Sequence, residues 1–566
     1  MLRPIILDSF KNYSKQKFFA DLTSGLIVGI VAIPLAVAFA IASGVTPDRG
    51  LVTAIIAGFF ISLLGGSRVQ IGGPTGAFVV ILYGIVQNHG VEGLVTATLM
   101  AGVILIIMGF AGLGSIIKFF PYPVIVGFTS GIAVVIFTSQ IRDLLGLPLD
   151  TLPPDFFGKW VLYLKSLASL SWQAFIVAAG SILILVYWPK KFKKIPSSLV
   201  ALAFSIAVVN ILGLNVDTIG SRFGSIPSMI PAPVLPDLQL KTMVTLISPA
   251  ISIALLGAIE ALLSAVVADG MNGGKHRSNI ELIAQGIANV VTPIFGGIPA
   301  TGAIARTATN IRNGGNTPIA GIVHAVVVLL IMIFLGRLVV YIPMAALAAI
   351  LVVVAYHMSE WRTFVALWKT PRADVVVLMA TFFLTVIADL TIAIQVGVAL
   401  SVILFMRRLI KISGVEVISN DYDDNNLAPS TEDCVTIDKD LIANGVDLFE
   451  IKGPFFFGTA FSFEETIGEI SNESKILILR MRNVPFIDST GLITLQKFIQ
   501  RCNKNRTSLI LSGVEPRVMK TFAKADMDQK IGKDNIYADL AGAISRAREI
   551  LHMTEKPLQK SAETAV

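Results

Sequence analysis

Glu260 is the residue of this sequence whose position most clearly suggests chemistry. It is the only charged side chain between residues 243 and 268, in an otherwise apolar stretch. A carboxylate at the centre of a membrane helix costs about 2.5–3.5 kcal/mol on insertion scales, so such a group is a candidate functional residue. Because lost hydration favours its protonated form, we predict that Glu260 can take up and release a proton near neutral pH. Ser264 lies on the same helical face; the alternative is a carboxylate that pairs with another helix for assembly.

Two short segments, far apart in the chain, have nearly the same sequence. They are Gly72-Gly73-Pro74-Thr75-Gly76-Ala77 and Gly296-Gly297-Ile298-Pro299-Ala300-Thr301-Gly302-Ala303. Each interrupts an apolar region with helix breakers, after which helical composition returns. Interrupted segments at matching places in two halves indicate the binding site of a transporter. A helix that restarts there presents unpaired N–H groups and a charge of roughly +0.5 at its N-terminus. We therefore predict an anion site between the two ends.

The hydroxyl and backbone donors of this site would come from both segments. We predict that the ligand is bound by Thr75, Gly76, Ala77, Thr301, Gly302 and Ala303. Glycine at such positions allows the backbone to approach a ligand closely. The alternative is that these small residues serve tight packing between helices, and that the likeness of the two segments is a coincidence of glycine placement.

The composition predicts a membrane protein. Of the 566 residues, 54% are hydrophobic and 15% are charged, and mean hydropathy is +0.76. Soluble domains carry about 25% charged residues. Uncharged stretches long enough to span a membrane recur between residues 22 and 406, which predicts about 12 to 14 crossings. The net charge of +7 is spread over short loops, which argues against nucleic-acid binding.

The distribution of Lys and Arg predicts the orientation in the membrane. Basic residues cluster in five segments, at residues 3–17, 190–194, 275–277, 362–372 and 407–408. The positive-inside rule places these clusters in the cytoplasm. Both ends of the membrane region then face inward, in a multi-pass protein of the cell inner (cytoplasmic) membrane. No cleavable signal is expected at the N-terminus, and Cys434 and Cys502 indicate a reducing compartment rather than a disulfide framework.

The chain divides by composition into four parts. Residues 1–413 form the predicted transmembrane domain, and residues 414–434 form an acidic linker. Residues 435–553 have the composition of a soluble α/β domain, with short buried strands at 446–451 and 476–479 and helices at 461–470, 492–502, 518–525 and 539–551. The tail at 554–566 is expected to be disordered.

Many separated strings resemble the SulP (sulfate permease) family of anion transporters. They include Ile33-Pro34, Gly44-Val45-Thr46-Pro47, Gly65-Gly66-Ser67-Arg68, Gly73-Pro74-Thr75, Gly127-Phe128-Thr129-Ser130-Gly131, Ala258-Ile259-Glu260 and residues 300–310. The C-terminal part resembles the STAS domain that follows the membrane domain in that family. Within the family, strings such as Val354-Ala355-Tyr356-His357-Met358-Ser359-Glu360 resemble most the bacterial C4-dicarboxylate transporters of the DauA type.

This resemblance implies an architecture and further site residues. It implies fourteen membrane segments in two inverted repeats of seven, a mobile core and a static gate, and a homodimer. Arg306 matches a position beside the family's anion site, although it could instead be a cytoplasmic residue that sets topology. Leu35 stands where many members have a polar residue, and with Phe39 it suits a ligand with a carbon backbone. Asp488 and Ser489 match the motif in which STAS antagonists are phosphorylated; the alternative is a plain helix cap.

The sequence therefore predicts a secondary transporter rather than an enzyme, with no cofactor. Arg306 and two helix ends supply about two positive charges, so protonation of Glu260 would remove a repulsion and couple proton and anion uptake. We expect a C4-dicarboxylate such as succinate as the cargo. Sulfate, or bicarbonate with sodium, is the alternative, and sodium is disfavoured because Ala258 offers no ligand atom. Two other readings are an uncoupled exchanger or channel, and a membrane-anchored signalling protein whose STAS domain binds a regulatory partner.

Overall fold

The computed structural model describes residues 3–9, 13–115, 121–149, 152–153, 155–192, 195–224, 227, 229–236, 240–388, 390–417, 445–468 and 475–562. The chain forms two compact units, residues 1–401 and residues 402–566. We describe each unit by itself.

The first unit is helical, with two short strands. In chain order its elements are α1 (Ile6–Ser9), α2 (Lys15–Ala42), α3 (Pro47–Leu64), β1 (Gly72–Gly73), α4 (Phe78–Phe110), α5 (Tyr122–Leu145), α6 (Phe156–Lys165), α7 (Trp172–Lys191), α8 (Ser197–Ile211), α9 (Ile219–Phe223), α10 (Leu240–Asn272), α11 (Ser278–Ile294), β2 (Thr301–Gly302), α12 (Ile304–Arg312), α13 (Ile319–Val339), α14 (Met344–Met358), α15 (Trp361–Leu367), α16 (Arg372–Ile387) and α17 (Leu390–Ile412), which continues into the second unit.

The helices of this unit are those of a polytopic membrane protein. Within the described residues, nine helices are long and apolar enough to cross a membrane. The helix α4 bends at Gly90, whose φ of 69° and ψ of −174° are not helical, so it counts as two segments. With the shorter helices α8, α11, α12 and α16, and without the short α1, α6, α9 and α15, the unit has fourteen segments, seven on each side of the loop before α10. This is the predicted helical fold.

The two segments singled out by their sequence meet in the structure. β1 and β2 pair antiparallel, with Gly72 opposite Gly302 and Gly73 opposite Thr301. Each strand leads into a helix: β1 precedes α4, and β2 precedes α12. The N-termini of two helices therefore flank one short ladder in the interior of the unit, as inverted repeats with interrupted helices require.

Around this ladder the helices pack closely. α4 packs against α10 and α11, and α2 packs against α3 and α13. Gly102 of α4 and Gly286 of α11 lie so near each other's backbone that a Cβ on either would come within 2.8 Å of it. The large apolar core that results is rich in Ala, Val, Leu and Ile.

The second unit contains an α/β domain. Its elements are β3 (Gly414–Val417), β4 (Val446–Lys452), α18 (Phe457–Gly468), β5 (Ile476–Asn483), α19 (Ser489–Lys504), β6 (Ser508–Ser512), α20 (Pro516–Lys524), α21 (Met527–Ile531), β7 (Ile536–Tyr537) and α22 (Leu540–Ala562). The sheet has the order β3-β4-β5-β6-β7; β3 is antiparallel to β4, and the other neighbours are parallel.

Apolar residues cover both faces of this sheet. Phe449 and Leu479 point to one face, in a core that includes Phe498 of α19 and Phe522 of α20. Leu448, Ile478 and Ile510 point to the opposite face, where they pack against Ala543 and Ala547 of α22. Parallel sheets covered on both sides explain why the predicted strands are continuous apolar runs.

The strands and helices predicted for this domain are present, but the prediction missed β6, β7 and α21, and the edges of the domain also differ from it. Residues 414–417 of the predicted linker form β3, since this strand pairs with β4, whereas residues 418–434 lie outside the described residues. The helix α22 extends to Ala562, so most of the segment predicted to be disordered is helical. Its Glu, Lys, Gln and Ala residues favour helix, and residues 563–566 lie outside the described part.

Candidate anion-binding site

Glu260 contacts the first of the two interrupted segments. It lies on α10, and its Oε2 accepts a hydrogen bond from Thr75 Oγ1 at 2.7 Å. Both residues are partly exposed, although their neighbours in the chain are mostly buried. Thr75 lies two residues before Ala77, the N-cap residue of α4, so the hydrogen bond brings the carboxyl group close to the start of that helix.

The second segment contacts the same helix one turn away. Thr301 is fully buried, and its Oγ1 donates to the carbonyl oxygen of Gly257 at 2.8 Å. Gly257 precedes Glu260 by three residues, which is a rise of about 4.5 Å along a helix. The threonines of both segments therefore lie against one short stretch of α10.

Arg306 lies on α12 behind the strand ladder. Its Nη2 donates to the carbonyl oxygen of Pro74 at 2.8 Å, and the side chain is 2% exposed. Nη1 has no hydrogen-bond partner among the described residues. A buried, unpaired guanidinium N–H costs free energy unless something accepts from it, so the geometry leaves one strong donor for an anion. This burial disagrees with the alternative of a cytoplasmic arginine.

The backbone beside Arg306 must be glycine. Gly73 has a φ of 153°, and a Cβ built there would overlap with Arg306 Nη1. Across the ladder, a Cβ on Gly302 would overlap with the amide of Gln70. Gln70 Nε2 in turn donates to the carbonyl oxygen of Ala261 on α10 at 3.2 Å. Close approach of side chains to bare backbone therefore determines the shape of the predicted site.

An apolar wall borders the start of α4. The position of a Cβ on Gly76 would be 3.1 Å from Phe39 Cε1, 3.0 Å from Met358 Sδ and 3.5 Å from Ile136 Cδ1. Phe39 comes from α2, so the structure brings this predicted residue to Gly76. These three side chains carry no strong hydrogen-bonding group, so they favour contact with hydrocarbon over contact with a polar atom.

The remaining predicted residues lie nearby in different roles. Ala77 and Ala303 are the N-cap residues of α4 and α12, and neither makes a side-chain cap. Ser264 does not contact Glu260 through a hydrogen bond; its Oγ donates to Thr307 Oγ1 at 3.2 Å. The same Thr307 oxygen accepts from the Ile71 amide at 3.1 Å. Ser264 thereby links α10 to α12 and to β1 rather than extending the carboxyl group.

Two buried polar residues at the site were not singled out in the sequence. Gln70 precedes β1, as described above, and His324 is fully buried on α13. The ring of His324 lies against α3, because a Cβ on Gly58 would be 3.3 Å from both His324 Cδ2 and the Gly72 carbonyl oxygen. The sequence did show a histidine inside an apolar helix. An ionisable side chain costs free energy in a membrane segment, so its presence indicates a functional residue.

Glu281 is a second buried carboxylate, and its environment contrasts with that of Glu260. Its Oε2 accepts from the Gly66 and Ser67 amides at 2.9 and 3.1 Å, and its Oε1 accepts from Gln285 Nε2 at 2.8 Å. Three donors stabilise a fixed carboxylate that ties α11 to the end of α3. Among the described residues, Glu260 accepts one side-chain hydrogen bond, so it is held by fewer donors than Glu281.

The STAS motif residues lie at the start of a helix in the second unit. Asp488 is the N-cap residue of α19, and its Oδ1 accepts from the Gly491 amide at 2.7 Å. Its Oδ2 accepts from the Phe457 amide at 3.2 Å. Ser489 is exposed at the first position of the helix, where a phosphate would be favoured by the helix dipole. Asp488 accordingly has a structural role, and Ser489 is accessible.

Cys502 lies on the buried face of α19, in the core of the second unit, and is a free thiol. Burial raises the pKa of the Cys502 thiol to about 11. Within the described residues no group of three or more His, Cys, Asp or Glu side chains could hold a metal ion.

The fold and the interior ladder of helix N-termini define a membrane carrier of anions with a fused α/β domain. The profile of the sulfate permease family matches residues 18–381, and that of the STAS domain matches residues 441–543. The chain belongs to the sulfate permease (SulP) family and is one of its anion transporters, with a C-terminal STAS domain.

Relatives of known name agree with this assignment. The "Putative sulfate transporter YvdB" of Bacillus subtilis (strain 168) is 42% identical over 530 residues, which cover 93% of this chain and 97% of the relative. The "Bicarbonate transporter BicA" of Picosynechococcus sp. is 29% identical over 541 residues, with coverages of 93% and 94%.

Solved structures show the same fold. The overall structure of SLC26A9 superposes with a TM-score of 0.86 at 18% identity, covering 97% of this chain and 93% of that chain. The transmembrane domain of a cyanobacterium bicarbonate transporter BicA has a TM-score of 0.62 at 30% identity, and it covers 69% of this chain and 98% of that chain.

Proposed function

We propose that the protein takes up small dicarboxylates with protons by alternating access, and that Glu260 is the proton-coupling residue. The observation that carries this proposal is the hydrogen bond from Thr75 to Glu260. This bond supports the proposal because it joins a carboxyl group to the interrupted segment that would border the anion. An ionised Glu260 would repel an incoming anion, and a protonated one would not.

Positive potential for the anion comes from fixed groups. Arg306 contributes a permanent charge with one unpaired donor, and α4 and α12 direct their N-termini to the same ladder. Such groups favour an anion without needing to move. An anion that binds alone at Arg306 makes the site net negative. A proton that binds at Glu260 together with the anion brings the net charge closer to zero.

The apolar wall supports a dicarboxylate as the cargo. Phe39, Ile136 and Met358 surround Gly76, and Leu35 is partly buried on the same helix as Phe39. Each carboxylate of a C4 compound could meet one polar side of the site while its methylene or vinyl carbons lie on this wall. A bare sulfate has no carbon to place there.

Sulfate or bicarbonate is the second candidate, and the relatives favour it. The Bacillus subtilis relative is named for sulfate and the cyanobacterial relative for bicarbonate. Sodium coupling would need further oxygen ligands, and Ala258 provides none next to Glu260. An uncoupled exchanger or channel is the further alternative, and it predicts uptake without any pH dependence.

The experiment is uptake into liposomes that contain the purified protein. Labelled succinate, sulfate and bicarbonate are supplied separately, with an inward proton gradient, an inward sodium gradient, or neither. The proposal expects succinate accumulation driven by protons and abolished by a protonophore. Accumulation of sulfate or bicarbonate without succinate would contradict the proposed cargo. Equal uptake with a proton gradient, with a sodium gradient and without either would contradict the proposed proton coupling.

We also propose the cellular setting and the role of the second domain. The N-terminus and the STAS domain would lie in the cytoplasm of a cell whose inner membrane holds the transporter, as the basic clusters indicate. A homodimer and a regulatory protein partner at Ser489 are consistent with the family. Removal of residues 435–566 distinguishes a transporter from a signalling protein. A transporter should still bind its substrate after the removal, whereas a sensor that signals through the STAS domain should lose its function.

A further inference from the structure

A large cavity lies in the first unit, away from the strand ladder. Its volume is about 640 Å³, a size typical of sites for small molecules, and it is lined by α2, α4, α5, α6, α10 and α14 together with Arg222. Along α4 it extends from His89 to Val79, which is about 15 Å of helix. It opens at the end of the unit where α2 turns into α3, since Gly44 also lines it.

By the positive-inside rule this end faces the outer solution, because α2 begins at the basic N-terminal cluster and ends near Gly44. The floor of the cavity reaches Ile136. The same residue packs against Gly76 at the start of α4. Ile136 therefore borders both the cavity and the predicted anion site.

The cavity contains more positive than negative charge. Its charged lining residues are three cations and two carboxylates, namely Arg142, Lys159, Arg222, Asp143 and Asp155. Arg222 donates to Asp143 at 2.8 Å and to Asp217 at 3.0 Å, so it is neutralised. Asp155 is the N-cap of α6 and accepts from the Gly158 amide.

Lys159 and Arg142 are only partly neutralised, because Asp155 attracts Lys159 but is exposed to solvent, and Arg142 shares Asp143 with Arg222. Lys159 is 7% exposed, and its Nζ lies 5.4 Å from the centroid of the Tyr83 ring. Within the described part of the chain this ammonium makes no hydrogen bond or ion pair. Arg142 Nε is buried with no hydrogen-bond partner, and its nearest carboxylate oxygen, Asp143 Oδ1, is 3.9 Å away and already bound by Arg222.

Uncharged donors line the same cavity as the two cations. Thr138, Ser139 and Gln140 follow each other on the wall formed by α5, and Gln87 and Asn88 line the mouth. A buried Lys159 and a half-buried Arg142 that are only partly neutralised, in a space bordered by hydroxyl and amide groups, favour an anion that accepts several hydrogen bonds. Field lines are focused in such a cleft, which raises the local concentration of the opposite charge.

We propose that this cavity is an outer anion-binding vestibule, in which Lys159 and Arg142 hold a small oxyanion before it reaches the site beside Glu260. The ligand class is a carboxylate or sulfate-like anion. The proposal rests on the proposed function only in that the cargo is an anion. It assigns to α6 a role in ligand capture that is separate from proton coupling.

The test measures the charge preference of the cavity directly. Ser139→Cys and, as a second position at the mouth, Gln87→Cys are made in the full chain and exposed in intact cells to two membrane-impermeant thiol reagents. One reagent carries a sulfonate (MTSES) and the other a trimethylammonium (MTSET). The ratio of their rates, divided by the ratio for a small free thiol, cancels the reactivity of the thiolate itself.

We expect the sulfonate reagent to modify the cysteine faster than the cationic reagent at both positions. Millimolar sulfate should lower the rate of modification by the sulfonate reagent. Lys159→Gln should lower the ratio about five-fold, the effect of one charge at intermediate distance and dielectric, and Lys159→Arg should restore it. Lys165→Gln is the matched control, because Lys165 lies on the same helix but is exposed and does not line the cavity.

The outcomes are decisive in either direction. Preference for the cationic reagent, equal effects of Lys159→Gln and Lys165→Gln, or no labelling of either cysteine from outside would overturn the vestibule. The readout does not depend on transport, so absence of succinate uptake with a retained sulfonate preference would count against the proposed function alone. In uptake assays Lys159→Gln should raise KM about five-fold and leave kcat unchanged, which a merely structural residue would not do.

Discussion

Thr75 and Glu260 are 185 residues apart in the chain, and a hydrogen bond of 2.7 Å joins Thr75 Oγ1 to Glu260 Oε2. The bond connects the start of α4 to the middle of α10, one turn from the place where Thr301 contacts the carbonyl oxygen of Gly257. A change in the protonation of one carboxyl group would therefore act on the interrupted segment that borders the anion site. The following predictions start from this geometry.

Glu260→Gln should remove the dependence of uptake on external pH. The amide keeps the size and accepts the Thr75 hydrogen bond, but it cannot ionise, so the repulsion that opposes anion binding at high pH is absent. Uptake of labelled succinate in liposomes between pH 5.5 and 8 is the measurement. Glu92→Gln is the matched control, because Glu92 is exposed. A pH profile unchanged from that of the native protein would contradict the coupling role.

Thr75→Val should shift the pH profile of uptake to higher pH. A donor to a carboxylate stabilises its ionised form, and hydrogen bonds to charged groups contribute about 1.5–3 kcal/mol. Without the hydroxyl, Glu260 takes up a proton more readily, so proton-driven uptake persists at a pH where it normally falls. Thr75→Ser retains the donor and should behave as the native protein. A shift of equal size in Thr75→Ser would contradict this explanation.

Arg306→Lys should weaken substrate binding even though the charge is kept. The guanidinium donates from Nη2 to the Pro74 carbonyl oxygen and leaves Nη1 for the substrate. A lysine ammonium has no planar pair of donors, so it cannot make both hydrogen bonds in this geometry. Loss of one charge-assisted hydrogen bond, about 1.5–3 kcal/mol, corresponds to a rise in KM of roughly 10- to 100-fold. The control is Arg312→Lys, on the same helix but exposed, which should leave KM unchanged.

Gly73→Ala should abolish uptake through displacement of Arg306. The new methyl group would overlap with Arg306 Nη1, and the φ of 153° is itself strained for a residue with a side chain, at a cost of about 1–3 kcal/mol. Thermal unfolding and uptake are measured together. Gly270→Ala on α10, where a Cβ meets nothing within 4 Å and which does not line the cavity, should be neutral in both. Normal KM in Gly73→Ala would show that Arg306 does not bind the substrate.

Cys502 should react very slowly with thiol reagents at neutral pH. Burial raises its pKa to about 11, so the thiolate fraction at pH 8 is about one in a thousand, against roughly a quarter for a free cysteine of pKa near 8.5. In a Cys434→Ser background Cys502 is the one remaining cysteine, since the chain has two. Maleimide labelling should become fast only after the domain is unfolded in urea. Fast labelling of the folded protein would contradict the buried position.

Much of the architecture follows from the sequence, because it depends on local properties. Apolar length predicts membrane helices whatever their partners are, and repeated Gly and Pro at matching places predict where helices are interrupted. The strands of the STAS domain read as continuous apolar runs because both faces of the sheet are covered. By contrast, the extent of β3 and of α22 depends on pairing and packing that local composition does not contain.

The site itself is a mixture of the two. The isolated charge of Glu260 identifies it in the sequence, since an ionisable group among apolar residues has few structural uses. Only the folded chain decides that Thr75 is its partner, that Ser264 donates to Thr307 instead, and that Arg306 leaves Nη1 unpaired beside Gly73. Those contacts join segments separated by tens to hundreds of residues, and their distances result from helix packing. Residue types are thus determined by the sequence alone, whereas their pairing is determined by tertiary structure.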